Sequence, residues 1–181
     1  MKRLFTDIGL ITGKDLKIEL RSRVLINQVA PFALMILVLF GIALDADQQS
    51  LRNFASGLFW ISVLLCALMA ISRSMTIERD DEALVGLNLS GVDPLAIFLG
   101  KTCAIAIQLL ILEIFLGVGI ILLYRSEVED LLLLVSTGLF ACIAVSALGT
   151  IFGFLASGLG VRETLLPILL LPLLLPVLIG A

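Results

Sequence analysis

Long runs of apolar residues leave this chain few ways to fold. Five runs occur, at residues 24–44, 54–72, 102–124, 131–157 and 164–181, and they contain 21, 19, 23, 27 and 18 residues. A helix needs about 20 residues to cross a bilayer, so every run is long enough to span it. The runs lack the alternation of membrane strands, and lipid cannot hydrogen-bond an open backbone, so each run is predicted to be a helix. The predicted fold is an all-α integral membrane protein with five transmembrane helices.

Composition supports one membrane domain over residues 1–181. Hydrophobic residues make up 60% of the 181 residues and charged residues 15%, whereas soluble domains have about 45–50% and about 25%. A net charge of −3 without a basic tract gives no support to nucleic acid binding. The chain has no histidine, and its three cysteines, Cys66, Cys103 and Cys142, are widely separated. We therefore predict no catalytic, metal-ligating or cofactor-binding residue in this chain.

Residues 1–23 predict an amphipathic helix on the membrane surface. Basic residues recur at helical spacing on one face, and apolar residues recur on another. They are Lys14, Lys17 and Arg21 on the first face and Leu16, Leu20 and Val24 on the second. Charged residues interrupt what would be the apolar core of a signal peptide, so cleavage is not expected.

The longest polar stretch, residues 73–101, holds 8 of the 27 charged residues (12 basic and 15 acidic). Residues 77–89 predict a helix, which Ser90 and Gly91 end. Asp93 then predicts an N-cap and Pro94 the first residue of a second helix, which continues into the third run.

Apolar residues inside this polar stretch, such as Leu84 and Leu87, favour a surface that contacts a partner. The alternative is a solvated linker between two spans, which the adjacent charges at residues 78–82 would also suit.

The basic residues predict the orientation. One side of the membrane receives ten of the 12 basic residues: Lys2, Arg3, Lys14, Lys17, Arg21, Arg23, Arg73, Arg79, Lys101 and Arg162. The other side receives Arg52 and Arg125. The positive-inside rule therefore predicts a cytoplasmic N-terminus and a cytoplasmic 73–101 loop.

Glu113 lies near the middle of the third run. An ionisable residue at this depth suggests either an interhelical hydrogen bond, with Gln108 or Asn27 as candidate partners, or a role in a translocation path or subunit interface. In the fourth run, Gly149 and Gly153 form a GxxxG pair that predicts close helix packing, within the subunit or across a homodimer.

Together these features resemble type 2 ABC exporter permeases, and more narrowly the haem exporter B (CcmB) family. The matching positions are residues 14–23, Gly57 to Trp60 leading to Arg73, the loop residues Glu78, Leu84, Leu87, Pro94, Gly100 and Lys101, and the closing LLPILLLPLLLPVLIG. The resemblance covers nearly the whole chain. Two departures are Glu82, where the family often has glycine, and five predicted spans instead of the family's six, for which a truncated sequence is the simplest explanation.

The resemblance implies a permease subunit in the bacterial cytoplasmic membrane, or an organellar inner membrane, that acts in cytochrome c maturation. Its expected partners are a CcmA-like ATPase that binds ATP, a CcmC-like subunit that handles haem, a small CcmD-like subunit and a haem chaperone. The residues expected to couple to the ATPase are Glu78, Arg79, Asp81, Leu84, Leu87 and Pro94.

Other functions remain open from the residues alone. A type 2 permease could carry a glycan, a lipid or a drug, and a membrane scaffold would need no transport. A membrane enzyme using Asp80 and Asp81 has less support, since the further acidic and arginine residues of a phosphotransferase are lacking.

Overall fold

Helices make up every element in the parts of the chain that the structure, a computed structural model, describes: residues 2–45, 47–80, 92–125 and 130–157. The elements are α1 (Lys2–Ser22), a π-helical segment (Leu25–Val29), α2 (Ala30–Ala43), α3 (Gln48–Asp80), α4 (Pro94–Tyr124) and α5 (Leu131–Ser157). The all-α prediction is confirmed. The fifth predicted span, residues 164–181, lies outside the described residues.

Among the described residues, four stretches of helix are long and apolar enough to cross a membrane, by length and composition. They are Leu25–Ala43, Gln48–Met75, Pro94–Tyr124 and Leu131–Leu155. They coincide with the first four apolar runs, and many of their large apolar side chains face outward, including Leu122, Leu132 and Phe140. Such outward-facing apolar side chains suit a lipid environment.

The helices around the polar stretch are longer than the apolar runs predict. Helix α3 extends from Gln48 to Asp80, beyond the apolar run at 54–72 and through the first four residues of the helix predicted at 77–89, whereas α4 begins at Pro94 as predicted. A helix does not have to end where its apolar run ends, because charged side chains are compatible with helix in water. We call residues 81–93 the α3–α4 link, of which residues 81–91 lie outside the described part of the chain.

Three helices begin at an aspartate. The Asp93 side chain accepts a hydrogen bond from Leu95 N, with Pro94 in the first turn, so the N-cap prediction is confirmed. Asp47 Oδ2 accepts from Ser50 N at 2.9 Å, before α3. Asp130 Oδ1 accepts from the backbone at the start of α5. These side chains satisfy amide groups that have no partner within the helix.

The chain turns between α1 and the first span. Arg23 adopts a left-handed conformation with φ of 53°, and Glu19 Oε1 accepts a 2.7 Å hydrogen bond from Leu25 N. The π-helical segment follows and leads to Pro31, which has no amide hydrogen to donate. Because of this break, α1 and α2 are two separate helices.

Helix α4 lies at the centre of the bundle and packs against α1, α2, α3 and α5. One core cluster joins α2, α3, α4 and α5. Its buried residues include Leu37, Trp60, Leu112, Leu116 and Ala141. A second, which includes Ile71, Leu109, Cys142 and Val145, joins α3, α4 and α5. A displacement of α4 would therefore disturb contacts with every other described helix.

Candidate functional site

A buried ion pair joins α1 to the first turns of α4. Lys101 Nζ lies 3.2 Å from Asp15 Oδ2, and the side chains of Lys101 and Asp15 are 2% and 10% exposed. Asp15 Oδ1 also lies 3.2 Å from Lys14 Nζ. One carboxylate therefore contacts two ammonium groups, of which the Lys101 group is the more buried. A buried ammonium group requires such a partner because it has lost its hydration.

Two further contacts fix α1 on α4 beside this ion pair. Thr12 Oγ1 donates a 2.9 Å hydrogen bond to Gly100 O. A Cβ at Gly100 would lie 2.8 Å from Ile11 Cβ and 3.2 Å from Ile8 O. Only a glycine at this position lets the two helices approach so closely. We call these contacts, from Ile8 to Asp15 on α1 and from Ala96 to Lys101 on α4, the α1–α4 junction.

The remaining surface of α1 is both apolar and basic. Phe5, Leu10 and Leu20 are exposed, as are Lys17 and Arg21. Helix α1 thus has exposed apolar and basic side chains, as the sequence predicts. It also has a third face that packs on α4, which was not predicted. A position at the membrane surface stays a prediction for α1.

The predicted coupling residues fall at the two ends of the link between α3 and α4. Glu78 and Arg79 belong to the last turn of α3, and Pro94 is the first residue of α4. Asp81, Leu84 and Leu87, with the predicted break at Ser90 and Gly91, lie outside the described residues. The link therefore connects the end of α3 to the start of α4, which lies at the α1–α4 junction.

Glu113 is buried in the α4–α5 contact and is 7% exposed. Its side chain hydrogen-bonds the thiol of Cys142 on α5. A Cβ at Gly138 would lie 2.8 Å from Glu113 Oε2, so this glycine makes room for the carboxyl group. Oε1 is buried and has no hydrogen-bond partner among the described residues. Gly138 thus leaves space for the carboxyl group, and its side-chain partner among the described residues is the weakly donating Cys142 thiol.

The candidate partners proposed from the sequence occupy other positions. Gln108 is buried on α4, and Asn27 is exposed in the π-helical segment. Among the described residues, the side-chain partner of Glu113 is Cys142 instead. The sequence did not mark Cys142 as a partner, because a single thiol in an apolar run is only a weak donor.

The GxxxG pair of α5 lies against α3 of the same chain. A Cβ at Gly149 would collide with the Ile71 side chain. At Gly153 it would lie 2.8 Å from Met75 Cγ and Sδ. Both glycines therefore border side chains of α3 and let α5 approach it closely.

Several contacts in the bundle had no distinctive signal in the sequence. Tyr124 Oη donates a 2.7 Å hydrogen bond to Leu37 O and ties the far end of α4 to α2. Asp15 and Thr12 look like other polar residues of an amphipathic helix. Only the position of Lys101, next to a glycine at the entry of an apolar run, hinted that it could be buried.

The described residues contain no group of three or more His, Cys, Asp or Glu side chains that could hold a metal ion. These residues instead provide close helix contacts, the buried ion pair between Asp15 and Lys101, and the Glu113 carboxyl group inside the bundle.

Comparison with known proteins gives two matches. A family model described as CcmB protein matches residues 7–181. The chain is also 29% identical over 170 residues to the heme exporter protein B of Rhodobacter capsulatus, and the matched region covers 93% of this chain and 78% of that protein. No solved structure matches the chain.

Proposed function

This chain belongs to the CcmB protein family, and we propose that it is the membrane permease subunit of an ABC transporter complex in c-type cytochrome biogenesis. The complex would export haem or release a haem-loaded chaperone. ATP hydrolysis by a partner subunit would drive a rearrangement of the membrane helices.

The family match over residues 7–181 carries this proposal, because it includes all four of the described helices that are able to span a membrane. The name of the Rhodobacter protein, heme exporter protein B, supports haem as the cargo of the complex. A fold alone does not determine function, so the assignment of haem rests on the similarity to the Rhodobacter protein.

ATP binding is assigned to a partner subunit. A phosphate-binding loop requires Gly-x-x-x-x-Gly-Lys-Ser/Thr, whose backbone amides surround the phosphates. The sequence has Gly100, Lys101 and Thr102 in order, but position 95 is leucine instead of glycine. In addition, the stretch lies inside α4 and the Lys101 ammonium group contacts Asp15. These residues are therefore poorly suited to hold a nucleotide.

The link between α3 and α4 is the proposed contact for the ATPase. Helix α3 has 33 residues and α4 has 31, so each is about 46–50 Å long, more than the roughly 30 Å of hydrocarbon. A push at the link would pass along both helices. Because α4 packs against α1, α2, α3 and α5, movement of its first turns would be transmitted to all four of these helices.

The proposed partners are a CcmA-like ATPase, a CcmC-like haem-handling subunit, a CcmD-like subunit and a haem chaperone. Haem would be held by these partners, because this chain has no histidine to provide an imidazole ligand. The proposed location is a bacterial cytoplasmic membrane or an organellar inner membrane, with a cytoplasmic N-terminus.

A deletion strain tests the role in cytochrome maturation. Cells that lack this chain should lose membrane-bound and soluble c-type cytochromes, measured by haem staining of separated proteins, and the intact gene should restore them. A b-type cytochrome, whose haem is not covalently attached, serves as the control and should be retained. Normal c-type cytochrome content in the deletion strain would contradict the proposal and favour a permease for another substrate or a scaffold.

Orientation has its own test. A reporter inserted at position 46, between α2 and α3, should be extracytoplasmic, and one inserted at position 91 should be cytoplasmic. The opposite pattern would place the α3–α4 link on the wrong side for an ATPase.

A further inference from the structure

The described surroundings of Glu113 offer little to stabilise a negative charge. The Glu113 side chain is 7% exposed, and its neighbours along α4, Leu112 and Leu116, are 1% and 0% exposed, so the carboxyl group lies in a buried, apolar part of the bundle. Oε1 has no hydrogen-bond partner in the described part of the chain. An ionised carboxylate in hydrocarbon needs strong donors or an opposite charge, and the Cys142 thiol is a weak donor.

No basic group compensates for it at this depth in the described helices that pack on α4. Helix α2 has no titratable side chain, and α5 has only Cys142. Helix α3 has Cys66 near the middle of its span, with Arg52 toward one end and Arg73, Glu78, Arg79 and Asp80 toward the other. The charged residues of α1 accompany the Gly100–Lys101 end of α4. On α4 itself, Lys101 precedes Glu113 by 12 residues, about 18 Å along the helix axis.

We propose that Glu113 is a proton-binding site inside the membrane, where it holds a proton while α4 and α5 are packed together and releases it only when their contact opens to water. The neutral acid can remain in an apolar environment, whereas the carboxylate requires hydration. Proton release is therefore linked to separation of the two helices.

Gly138 makes the packed state of this site possible. Since a Cβ there would lie 2.8 Å from Glu113 Oε2, the carboxyl group occupies the space that any other residue would fill. Cys142, one helical turn further along α5, is 1% exposed and closes the same contact. Opening of this contact would therefore expose the carboxyl group and the thiol together.

Infrared difference spectroscopy on the full chain with its natural subunits in lipid nanodiscs tests the protonation state. Subtracting the Glu113→Gln spectrum from the wild-type spectrum at neutral pH should leave the carbonyl band of a protonated carboxylic acid. Asp47→Asn is the control: hydrogen bonds from the side chain and backbone of Ser50 hold the pKa of Asp47 below its usual value, so its subtraction should leave carboxylate bands. Carboxylate bands for Glu113 would overturn the proposal.

A second variant provides a test that does not need substitution of Glu113. Cys142→Ala removes the thiol donor and should shift the carboxylic acid band, whereas Cys103→Ala, at an exposed position, should not. An unchanged band in Cys142→Ala would contradict the assignment to Glu113.

The link to helix separation can be measured by exchange. In D2O the acid proton exchanges for deuterium and the band moves, while a maleimide reports access to the Cys142 thiol. Gly138→Ala should increase the rates of deuterium exchange and of Cys142 labelling by a similar factor, at least tenfold. Gly117→Ala, where an added Cβ meets nothing within 4 Å, should change neither. Faster deuterium exchange with unchanged Cys142 labelling would show that the proton leaves without helix separation.

Discussion

Lys101 Nζ and Asp15 Oδ2 lie 3.2 Å apart in a buried ion pair that joins the N-terminal helix to the third membrane span. The pair lies where the α3–α4 link enters α4, close to the proposed contact with an ATPase. Helix α1 should therefore move with the first turns of α4 as one unit.

Removing the carboxylate of this pair should destabilise the protein more than removing the ammonium group. Asp15→Asn removes the carboxylate that lies 3.2 Å from the buried Lys101 ammonium group, and removing the charge of one partner in a buried pair costs about 3–5 kcal/mol. Lys101→Met should cost less, because Asp15 keeps its contact with Lys14. Thermal unfolding in one detergent compares the variants. Lys17→Met, at an exposed position, is the control, and equal effects of Asp15→Asn and Lys101→Met would show that the carboxylate has no special role.

Gly100→Ala should weaken the α1–α4 junction. The added Cβ would lie 2.8 Å from Ile11 Cβ, and such overpacking costs about 1–3 kcal/mol. Gly117→Ala on the same helix has open space and should leave stability nearly unchanged. Protease digestion between α1 and α2 should become faster in Gly100→Ala alone, and Ile11→Ala should partly reverse the change. The same digestion rate in both alanine variants would contradict the close approach.

The two glycines of the GxxxG pair should respond differently to alanine. At Gly149 the new Cβ meets the β-branched Ile71, whereas at Gly153 it meets the flexible Met75 side chain. Gly149→Ala should therefore lower the unfolding temperature more, and Ile71→Ala should restore part of the loss. If Gly153→Ala were the more harmful change, a contact outside this α3–α5 interface would have to dominate.

Glu113→Gln should be tolerated, because the amide resembles a neutral carboxylic acid in shape and hydrogen bonding. Glu113→Leu should reduce complex recovery mildly, since hydrogen bonds in membranes average about 0.6 kcal/mol. The yield of c-type cytochromes and the recovery of the complex measure both effects. A fully assembled but inactive Gln variant would show that the cycle requires the ionised carboxylate.

The apolar runs and caps were accessible from the sequence because each depends on neighbouring residues. Unbroken hydrocarbon predicts a spanning helix wherever it occurs, and Asp93 followed by Pro94 marks a helix start without any tertiary information. The continuation of α3 past its apolar run, through Arg73 to Asp80, was not accessible in this way.

Contacts between helices depend on which faces meet, and the sequence does not encode this in any local pattern. Asp15 and Lys101 are separated by 86 positions, and each has other plausible partners in an amphipathic helix or a polar loop. For the same reason Gly138 was not recognised as the notch for Glu113, although the GxxxG spacing of Gly149 and Gly153 marked those two glycines as packing residues.

Recovery of the ATPase subunit with the tagged chain tests the proposed coupling most directly. From solubilised native membranes, the wild-type chain should recover an ATPase. The double variant Leu84→Asp with Leu87→Asp should lose it while still inserting into the membrane. Charge reversal at Glu78 or Asp81 should have less effect, since exposed ion pairs contribute about 0–1 kcal/mol. Undiminished recovery of the ATPase with the double variant would contradict docking at the α3–α4 link.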